Sequence, residues 1–511
     1  MKPLFEERSD HISSVINRVK GLPRVAFVYK LSIKEPLGIA YLSAYLKNLY
    51  PEIVIGFFDP KADKLEALHH FAPDLVLYSI MSGQYKENVK RNQFLKSVLP
   101  PFIAVFGGPH PTYFPEMVKE DGVDVICRGD GEKPLASLVE QIRLGSEITA
   151  IHGLWVKSGG TIHKNELELL VGDLDSLPFP DRELFYGKSL IFKERIAKSF
   201  FTARGCPFKC SYCYNSALNE VTKGKGKVLR YRTPQSVIQE IKEVQTKYPL
   251  PFIMFGEDVF AGIKMDWLKE FSDGYSKLNI PYNVSLRAEF VTPELAFQMK
   301  KSGCASVALA IEHGDFEYRK KHLFRQMSNK RLLDAIEVLE KNNISVTTPT
   351  MIGLPFTSFD DDIKTVELVC QAKPTYAGVT IFQPYPGLPL TDACLQNNLI
   401  EKSYVEKLNT DCYEPAYIKG IDYTQVNKLR KTFGLIRPLG YLFPNRVKEI
   451  IDKMPDNFIL HHLNNLINFY YFGKIYKYRR GLLTKLKEVY VGLDTGAYGI
   501  SLKWFNRTEK F

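Results

Sequence analysis

Residues 203–215 read Ala-Arg-Gly-Cys-Pro-Phe-Lys-Cys-Ser-Tyr-Cys-Tyr-Asn and place Cys206, Cys210 and Cys213 at Cys-x3-Cys-x2-Cys spacing. Three thiolates on one short loop can hold a cluster of iron and sulfide. Such clusters usually take four protein ligands, so a loop with three and no fourth cysteine nearby would leave one iron open to a small molecule. Gly205 and Pro207 suit a loop that wraps closely around a metal centre. The stretch therefore predicts a catalytic cluster.

The spacing, with the aromatic Tyr212 directly before the third cysteine, resembles the Cys-x3-Cys-x-aromatic-Cys signature of the radical S-adenosylmethionine (SAM) enzymes. The resemblance implies a 4Fe-4S cluster on the three cysteines, SAM on the open iron and Tyr212 beside the cofactor. The alternative is a zinc knuckle. Zinc sites commonly pair two Cys-x2-Cys units or add histidines, and neither arrangement completes a tetrahedral ligand set here.

Length and composition place the chain among globular proteins of several domains. Its 511 residues should form two or three domains, and 45% hydrophobic with 24% charged residues exclude the disordered and fibrous classes. No apolar run approaches the length of a membrane span, and residues 1–20 lack the apolar centre of a signal peptide, so we expect a cytoplasmic protein. The remaining cysteines are scattered, and we expect buried structural thiols: Cys127, Cys304, Cys370, Cys394 and Cys412.

Short apolar runs alternate with helix-periodic segments in the first third of the chain. This order predicts a doubly wound parallel sheet, a Rossmann-like domain. The five predicted strands are residues 23–29, 53–58, 74–80, 102–106 and 123–127, and the main predicted helices are residues 38–46, 61–71, 85–98 and 133–144.

Three glycine-containing loops follow the last three of these strands, at the edge of the sheet where ligands bind. Taken singly, each is explained by a tight turn. Together, ahead of the cysteine motif, they resemble the cobalamin-binding domain of one subgroup of radical SAM enzymes. The resemblance implies these cobalamin contacts: Ser79, Met81 and Ser82; Gly107, Gly108, Pro109 and His110; Gly129, Asp130, Gly131 and Glu132.

One departure concerns the cobalt ligand. Cobalamin domains that supply a histidine to cobalt carry Asp-x-His-x-x-Gly, and this chain has no such string. Gly108 stands where the aspartate should precede His110, so we do not assign His110 as the cobalt ligand. The resemblance implies a lower cobalt face without histidine, and a degenerate domain that binds no cobalamin is the alternative.

The middle of the chain predicts a second α/β domain. Gly159-Gly160 predicts a hairpin turn, and Pro178 with Pro180 predicts a stiff connector that ends near residue 190. Strand and helix then alternate six times between Lys198 and about Gln383, with predicted strands that include residues 252–255, 306–311, 345–352 and 377–382. Helices are predicted to begin at Thr233, Thr292, Ser328 and Ser358. This rhythm suits a partial (β/α)6 barrel of the TIM type, with its chemistry at the carboxyl ends of the strands.

Polar residues at these strand ends are candidate SAM contacts. The resemblance assigns the methionyl amine to residues 256–258, the carboxylate to Ser285 and Arg287, the ribose to Glu312 and the adenine to the loop that starts at Ile352. A lone charged residue at a strand end is often only solvated. The full set is Gly256, Glu257, Asp258, Ser285, Arg287, Glu312, Ile352 and Gly353.

Tyr385 lies in Gln-Pro-Tyr-Pro-Gly-Leu-Pro, residues 383–389, which resembles a string common in the subgroup. We expect a rigid turn on the substrate side, with Tyr385 facing the cavity as the candidate catalytic residue.

Residues 411–511 carry 17 Lys and Arg against nine Asp and Glu and read as helices rich in aromatic residues. The predicted helices are residues 426–435, 446–451, 458–471 and 474–489. A helical cap over the active site with a solvated basic face is the preferred interpretation. Aromatic residues 469–472 beside Lys474, Lys477, Arg479 and Arg480 also fit a peripheral membrane anchor. Charge without a binding module does not indicate specific nucleic-acid binding.

The expected domains are an N-terminal extension over residues 1–22, a cobalamin-binding-like Rossmann domain over 23–145, a linker over 146–190, a radical SAM domain over 191–410 and a mainly helical, basic and aromatic domain over 411–511.

The resemblance implies an enzyme that uses the 4Fe-4S cluster to form a 5'-deoxyadenosyl radical from SAM, with cobalamin as methyl carrier. The leading hypothesis is methylation of an unactivated carbon of a small-molecule or lipid substrate, with electrons from a reductant such as flavodoxin or ferredoxin. Two alternatives stay open. One is a cobalamin-type radical SAM oxidoreductase or cyclase without methyl transfer, and the other is a non-enzymatic cobalamin- or cluster-binding sensor.

Overall fold

The computed structural model describes residues 11–31, 35–195, 197–407 and 414–475. These residues form two compact units. The N-terminal unit contains the described residues up to 195 together with 218–228, and the barrel unit contains the described residues 197–217 and 229–475.

The N-terminal unit is built on a seven-stranded sheet in the order β2-β1-β3-β4-β5-β6-β7. Its first five strands are parallel, as predicted, and the strand order reverses between β1 and β3, which makes this a topological switch point. The strands are β1 (Val25–Val28), β2 (Ile55–Phe58), β3 (Leu75–Ser79), β4 (Ile103–Gly107), β5 (Val125–Cys127), β6 (Leu154–Ser158) and β7 (Thr161–Lys164).

The last two strands form an antiparallel hairpin that extends the sheet beyond β5. Its two-residue turn is Gly159-Gly160, and both glycines have positive φ, which is the conformation that such hairpin turns require. The segment predicted as a linker therefore supplies part of this sheet.

Helices cover the sheet, so the strand β1 is buried along its whole length. The apolar core includes Val76, Tyr78, Phe102 and Phe106, and Tyr78 stacks on Phe106 with ring centroids 4.4 Å apart. The helices are α1 (His11–Arg18), α2 (Leu37–Leu49), α3 (Leu65–Phe71), α4 (Tyr85–Val98), α5 (Pro109–Tyr113), α6 (Glu132–Arg143), α7 (Glu183–Tyr186) and α8 (Leu190–Lys193).

The barrel unit contains six parallel strands in the order β15-β14-β13-β12-β11-β8, which confirms the predicted partial barrel. A separate antiparallel pair, β9 with β10, encloses the cysteine loop in sequence. The strands are β8 (Ala197–Phe200), β9 (Ala203–Arg204), β10 (Arg230–Tyr231), β11 (Phe252–Phe255), β12 (Tyr282–Leu286), β13 (Cys304–Leu309), β14 (Ser345–Ile352) and β15 (Tyr376–Ile381).

Several barrel helices begin at the cap residues that the sequence indicates. The side chains of Thr233, Thr292 and Ser328 each accept a hydrogen bond from a backbone N–H in the first turn. The helices are α9 (Tyr214–Val221), of which residues 218–221 are assigned to the N-terminal unit, α10 (Pro234–Lys247), α11 (Met265–Tyr275), α12 (Pro293–Lys301), α13 (Phe316–His322), α14 (Asn329–Lys341), α15 (Phe359–Ala372) and α16 (Pro389–Gln396).

Three further helices end the described chain: α17 (Tyr423–Leu442), α18 (Val447–Lys453) and α19 (Phe458–Ile475). The predicted helical character of this region is confirmed up to residue 475. Lys477, Arg479 and Arg480, and most of the helix predicted over 474–489, lie outside the described residues. In the described part of the chain, no helix has both the length and the hydropathy needed to cross a lipid bilayer.

Candidate active site

The three motif cysteines lie on the loop between β9 and α9. Gly205 enters this loop with φ of 86°, a conformation that glycine adopts at little cost. Cys206 and Cys210 are buried, Cys213 is half-buried, and none of the three forms a disulfide. The amide of Asn215 donates to Cys213 Sγ at 3.6 Å, so the loop directs an N–H group at one sulfur.

Arg287, at the end of β12, contacts the same loop. Its Nη1 donates to Cys210 Sγ at 3.2 Å, and its guanidinium lies 3.7 Å from the ring centroid of Phe208. Glu289 pairs with the other side of the guanidinium, with Nη2 and Oε1 2.5 Å apart. The structure therefore brings a cation against a cysteine sulfur, where it stabilises thiolate charge.

Tyr212 belongs to a buried polar triad. Its hydroxyl donates to Glu312 Oε1 at 2.7 Å, and Arg325 Nη1 lies 3.2 Å from the Tyr212 hydroxyl and 3.4 Å from Glu312 Oε1. Glu312 has φ of 67°, a backbone conformation that a non-glycine residue keeps only where its surroundings hold it. The triad thus joins the cysteine loop to the end of β13.

Glu257, at the end of β11, is a fully buried carboxyl group. Thr202 Oγ1 donates to Glu257 Oε1 at 2.6 Å, while Glu257 Oε2 has no hydrogen-bond partner among the described residues. Burial raises the pKa of Glu257 to about 8. An unsatisfied buried oxygen of this kind is costly unless a ligand donates to it.

The other predicted SAM residues have varied surroundings. Asp258 is exposed, and its charge contributes, after burial, to raising the pKa values of Cys206 and Cys213. Gly256, after β11, is exposed and Ser285 is half-buried. Ile352 is buried in the barrel, and Gly353, with φ of 63°, donates its N–H to the buried Asp362. Tyr385 is half-buried, 5.6 Å from the ring of Tyr214 between centroids.

The donor set of the loop suits a metal centre with thiolate ligands. Cys206, Cys210 and Cys213 lie on one short loop, and N–H groups of Asn215 and Arg287 are directed at two of the sulfurs. Among the described residues, no group of three or more His, Cys, Asp or Glu side chains is in position to hold a metal ion. Burial raises the pKa of Cys206 to about 11 and also raises that of Cys213, so metal charge is required to keep these thiols deprotonated.

Four of the five remaining cysteines are buried, as expected: Cys127, Cys304, Cys370 and Cys394. Cys412 lies outside the described residues.

The N-terminal unit carries its three predicted loops at the carboxyl ends of β3, β4 and β5. The first two are in close backbone contact: Gly108 has φ of 93°, and a Cβ placed on it would lie 2.9 Å from the Ile80 nitrogen. Thr112 Oγ1 donates to the Gly108 carbonyl and accepts from the Gly129 N–H. The loops therefore form one hydrogen-bonded edge rather than three separate turns.

His110 is engaged within this edge. Its Nδ1 lies 3.2 Å from Ser82 Oγ, and its ring stacks on Tyr85 with centroids 4.3 Å apart. Burial lowers the pKa of His110 to about 4, so the ring is neutral at pH 7.

The remaining loop residues divide into buried and exposed positions. Asp130 Oδ2 accepts a hydrogen bond from the Val171 N–H at 3.0 Å, and Glu132 is buried at the start of α6. Ser79, Gly107, Gly129 and Gly131 are half-buried, and Pro109 begins α5. Met81 has an exposed side chain. This edge offers backbone and one flexible apolar side chain, a surface that suits a broad, flat ligand.

Sequence reasoning did not assign Arg325, Thr202, Phe208 or Asp362. Arg325 follows α13, in a stretch without a local motif, and it reaches Tyr212 only through the barrel fold. Thr202 precedes the first cysteine by four residues and Phe208 lies between Cys206 and Cys210, so both could have been singled out for that position. The role of Asp362 depends on the contact between α15 and the loop after β14, and a hydrophobic pattern in the sequence does not indicate such a contact.

Comparison with family models finds two matches. The model of the radical SAM superfamily matches residues 200–369, and the model of the B12 binding domain matches residues 29–139. Together they cover more than half of the chain. The first match contains the cysteine loop and its surrounding strands, and the second contains the three glycine loops.

Two curated relatives match most of the described chain at low identity. An uncharacterized methyltransferase of Pyrococcus horikoshii, PH0819, is 26% identical over 447 residues, which cover 85% of this chain and 94% of that protein. The anaerobic magnesium-protoporphyrin IX monomethyl ester cyclase of Rubrivivax gelatinosus is 24% identical over 371 residues, which cover 69% of this chain and 64% of that protein.

Among solved structures, the fold resembles that of the radical SAM methyltransferase TsrM from Kitasatospora setae, determined with cobalamin and a [4Fe-4S] cluster bound. The TM-score is 0.60 at 14% identity, and the match covers 74% of this chain and 76% of that one. At this identity the likeness concerns the fold.

Proposed function

Because the chain belongs to the radical SAM enzymes that carry a B12 binding domain, we propose that it methylates an unactivated carbon of a small-molecule or lipid substrate by way of a 5'-deoxyadenosyl radical. Its cofactors are a 4Fe-4S cluster, SAM and cobalamin. The observation that carries the proposal is the cysteine loop: three thiols outside any disulfide, with Arg287 against Cys210, in a chain that also has a B12 binding domain. The name of the Pyrococcus relative supports methyl transfer.

When bound, the cluster supplies the electron that cleaves SAM, and cobalamin carries the methyl group. Cys206, Cys210 and Cys213 would hold the cluster. Arg287 donates to one of these sulfurs, and a hydrogen bond of this kind stabilises the thiolate form. Burial of Cys206 and Cys210 also shields two of the three sulfurs from water.

Glu257 is the residue best placed to hold a cationic group of SAM. Its Oε2 lacks a partner among the described residues, so an ammonium group could donate to it without displacing an existing contact. The raised pKa means that such binding would be coupled to release of the carboxyl proton. Gly256 and Asp258 adjoin this group, and we assign all three to the amine of SAM.

Arg287 and Ser285 remain the proposed contacts of the SAM carboxylate. Glu312 remains the proposed ribose contact, and its hydrogen bond from Tyr212 fixes the direction of its carboxylate. We assign the adenine to the loop at Ile352 and Gly353, whose turn is held by Asp362. Tyr385 is the proposed substrate-facing residue, with its ring near Tyr214.

In the N-terminal unit, we assign cobalamin to the edge formed by the loops after β3, β4 and β5. Because His110 contacts Ser82 and stacks on Tyr85, these residues fit cobalamin that is held through shape and backbone contacts without a histidine ligand to cobalt. The exposed Met81 and the glycines at 107, 108, 129 and 131 would contact the flat ring.

The direct test uses SAM labelled in its methyl group. Reconstituted protein is incubated anaerobically with a reductant and a metabolite and lipid extract, and the products are analysed by mass spectrometry. The proposal predicts label in a new carbon–methyl group together with 5'-deoxyadenosine, and neither product with the Cys210→Ala variant. Formation of 5'-deoxyadenosine without labelled product would exclude methyl transfer.

That second outcome would support the other candidate function, a radical cyclisation or oxidation on the same scaffold. The observation that favours it is the similarity to the Rubrivivax cyclase. The two functions require the same cluster and the same SAM residues, so they differ in the product alone.

The proposed reaction needs a one-electron donor, for which flavodoxin or ferredoxin is suitable. A cytoplasmic location and the five-part domain division remain predictions.

A further inference from the structure

The helix α19 carries large apolar side chains on its solvent-facing side as well as on the side that packs. On the side packed against α17, Asn464 is buried, and its Oδ1 accepts a hydrogen bond from the Gly434 N–H at 2.6 Å. The opposite face carries large apolar side chains in the open: Phe458 is 75%, Ile459 76% and Leu466 66% exposed. A helix facing water would carry polar side chains on its exposed face.

The exposed apolar side chains of α19 share one side of the helix. Helical spacing places residues 458, 459, 463, 466 and 470 on this side, and we call these five residues the apolar face: Phe458, Ile459, Leu463, Leu466 and Tyr470. They are five of the nineteen exposed large apolar side chains among the described residues, within 13 positions of sequence. Such concentration marks an interaction surface.

The C-terminal region that carries the apolar face is basic. The helix α19 itself contains no Asp or Glu, and residues 411–511 hold 17 Lys and Arg against nine Asp and Glu. Lys474 lies at the end of α19 with Nζ 4.8 Å from the ring centroid of Tyr470 and 5.1 Å from that of Tyr471. The exposed Asp456, just before the helix, pairs with His461 at 2.6 Å. Apolar bulk, aromatic rings and flanking cations on one surface are the features of a helix that lies in the headgroup region of an anionic bilayer.

We propose that the apolar face binds the surface of an anionic lipid membrane. Charge complementarity favours this occupant over the two others. Residues 476–511 carry eight Lys and Arg against three Asp and Glu, so covering the face with this segment would add positive charge to positive charge. A second copy of the chain would do the same. An anionic headgroup layer accepts the apolar residues and neutralises the cations together.

This inference does not rest on the proposed reaction, since vesicle binding requires no cofactor. The experiment is co-sedimentation of the full-length protein with vesicles of phosphatidylcholine alone or with added phosphatidylglycerol. The predicted result is binding to vesicles that contain phosphatidylglycerol, weakened by raised salt. Burying two large side chains accounts for a change of tenfold or more in affinity, so Ile459→Gln/Leu466→Gln should lose at least about tenfold.

The matched control is Leu144→Gln/Phe297→Gln, which replaces two exposed apolar residues elsewhere and should bind as the wild type does. Lys474→Gln, which leaves the apolar residues in place, should bind severalfold more weakly. Circular dichroism of each variant checks folding. Equal sedimentation with and without vesicles overturns the proposal. So does a dimer, detected by light scattering, that Ile459→Gln/Leu466→Gln dissociates, because the occupant would then be a second copy.

Discussion

At the carboxyl ends of its strands, the barrel unit buries charged side chains, whereas the N-terminal unit buries backbone turns and a neutral histidine. Around the cysteine loop, Arg287 and Arg325 lie against the carboxylates of Glu289 and Glu312, and Glu257 is a buried carboxyl group that would lose its proton when an ammonium ion bound. Around the loops after β3 and β4, Gly108 packs on Ile80 and His110 stacks on Tyr85. The first arrangement suits a charged cofactor fixed by ion pairs, and the second suits a large ring fixed by shape.

Removal of a cluster ligand should have the largest effect on the chemistry of the barrel unit. Cys210→Ala should abolish iron binding by the loop and all cleavage of SAM, because the remaining two thiols cannot retain the cluster. Iron analysis and 5'-deoxyadenosine formation after anaerobic reconstitution measure this effect. Cys394→Ala, at a buried cysteine outside the motif, is the control and should keep both iron and activity. Equal loss in the two variants would contradict the assignment.

The buried triad is tested next. Arg325→Met leaves the carboxylate of Glu312 without its cation, and breaking a buried pair in this way costs roughly 3–5 kcal/mol. The double variant Glu312→Gln/Arg325→Met removes the stranded charge as well, so it should be more stable than Arg325→Met alone. Thermal unfolding of the cofactor-free protein gives the stabilities of these two variants and of Glu312→Gln. If the stability lost in the double variant equals the sum of the losses in the two single variants, the residues do not interact.

Glu257→Gln tests the unpartnered carboxyl. The amide keeps the hydrogen bond from Thr202 but removes the negative charge, and a hydrogen bond to a charged group contributes about 1.5–3 kcal/mol. We therefore expect SAM affinity of the cluster-loaded protein to fall roughly 10- to 100-fold, measured by equilibrium dialysis.

Glu257→Gln should also change how the stability of the cofactor-free protein depends on pH. The folded carboxyl keeps its proton up to about pH 8, whereas the unfolded one releases it near 4.5, so folding takes up a proton between these values. Glu257 therefore makes stability fall as the pH rises from about 4.5 to about 8. Glu257→Gln should lack this contribution. If the melting temperatures of the wild type and of Glu257→Gln depended on pH in the same way, the buried carboxyl would be contradicted.

The smallest expected effect concerns backbone packing in the N-terminal unit. Gly108→Ala places a Cβ 2.9 Å from the Ile80 nitrogen at a positive φ, whereas Gly160→Ala has positive φ with no neighbour within 4 Å. Both variants carry conformational strain, and Gly108→Ala alone adds a steric clash. We expect Gly108→Ala to be less stable than Gly160→Ala by at least about 1 kcal/mol in thermal unfolding. Equal stabilities would show that the two loops are not in close contact.

Local patterns predict the elements of both units but not the contacts between distant segments. Strand residues 252–255 and 345–352 are found at the predicted bounds, and Thr233, Thr292 and Ser328 cap helices, because these features depend on neighbouring residues. The contact of Arg325 with Tyr212 spans 113 residues and exists only once the barrel has formed. Likewise, the unpartnered oxygen of Glu257 is a property of packing, which composition and spacing do not encode.

The three-cysteine cluster with one open coordination position is the basis of the whole account. Electron paramagnetic resonance of the reduced, anaerobically reconstituted protein, recorded with and without SAM, tests it most directly. A cluster held by three thiols should give a 4Fe-4S signal that changes when SAM is added, because SAM would bind the open iron. A signal unaffected by SAM would contradict such a cluster. So would a protein that gives no paramagnetic resonance signal and contains one tightly bound zinc.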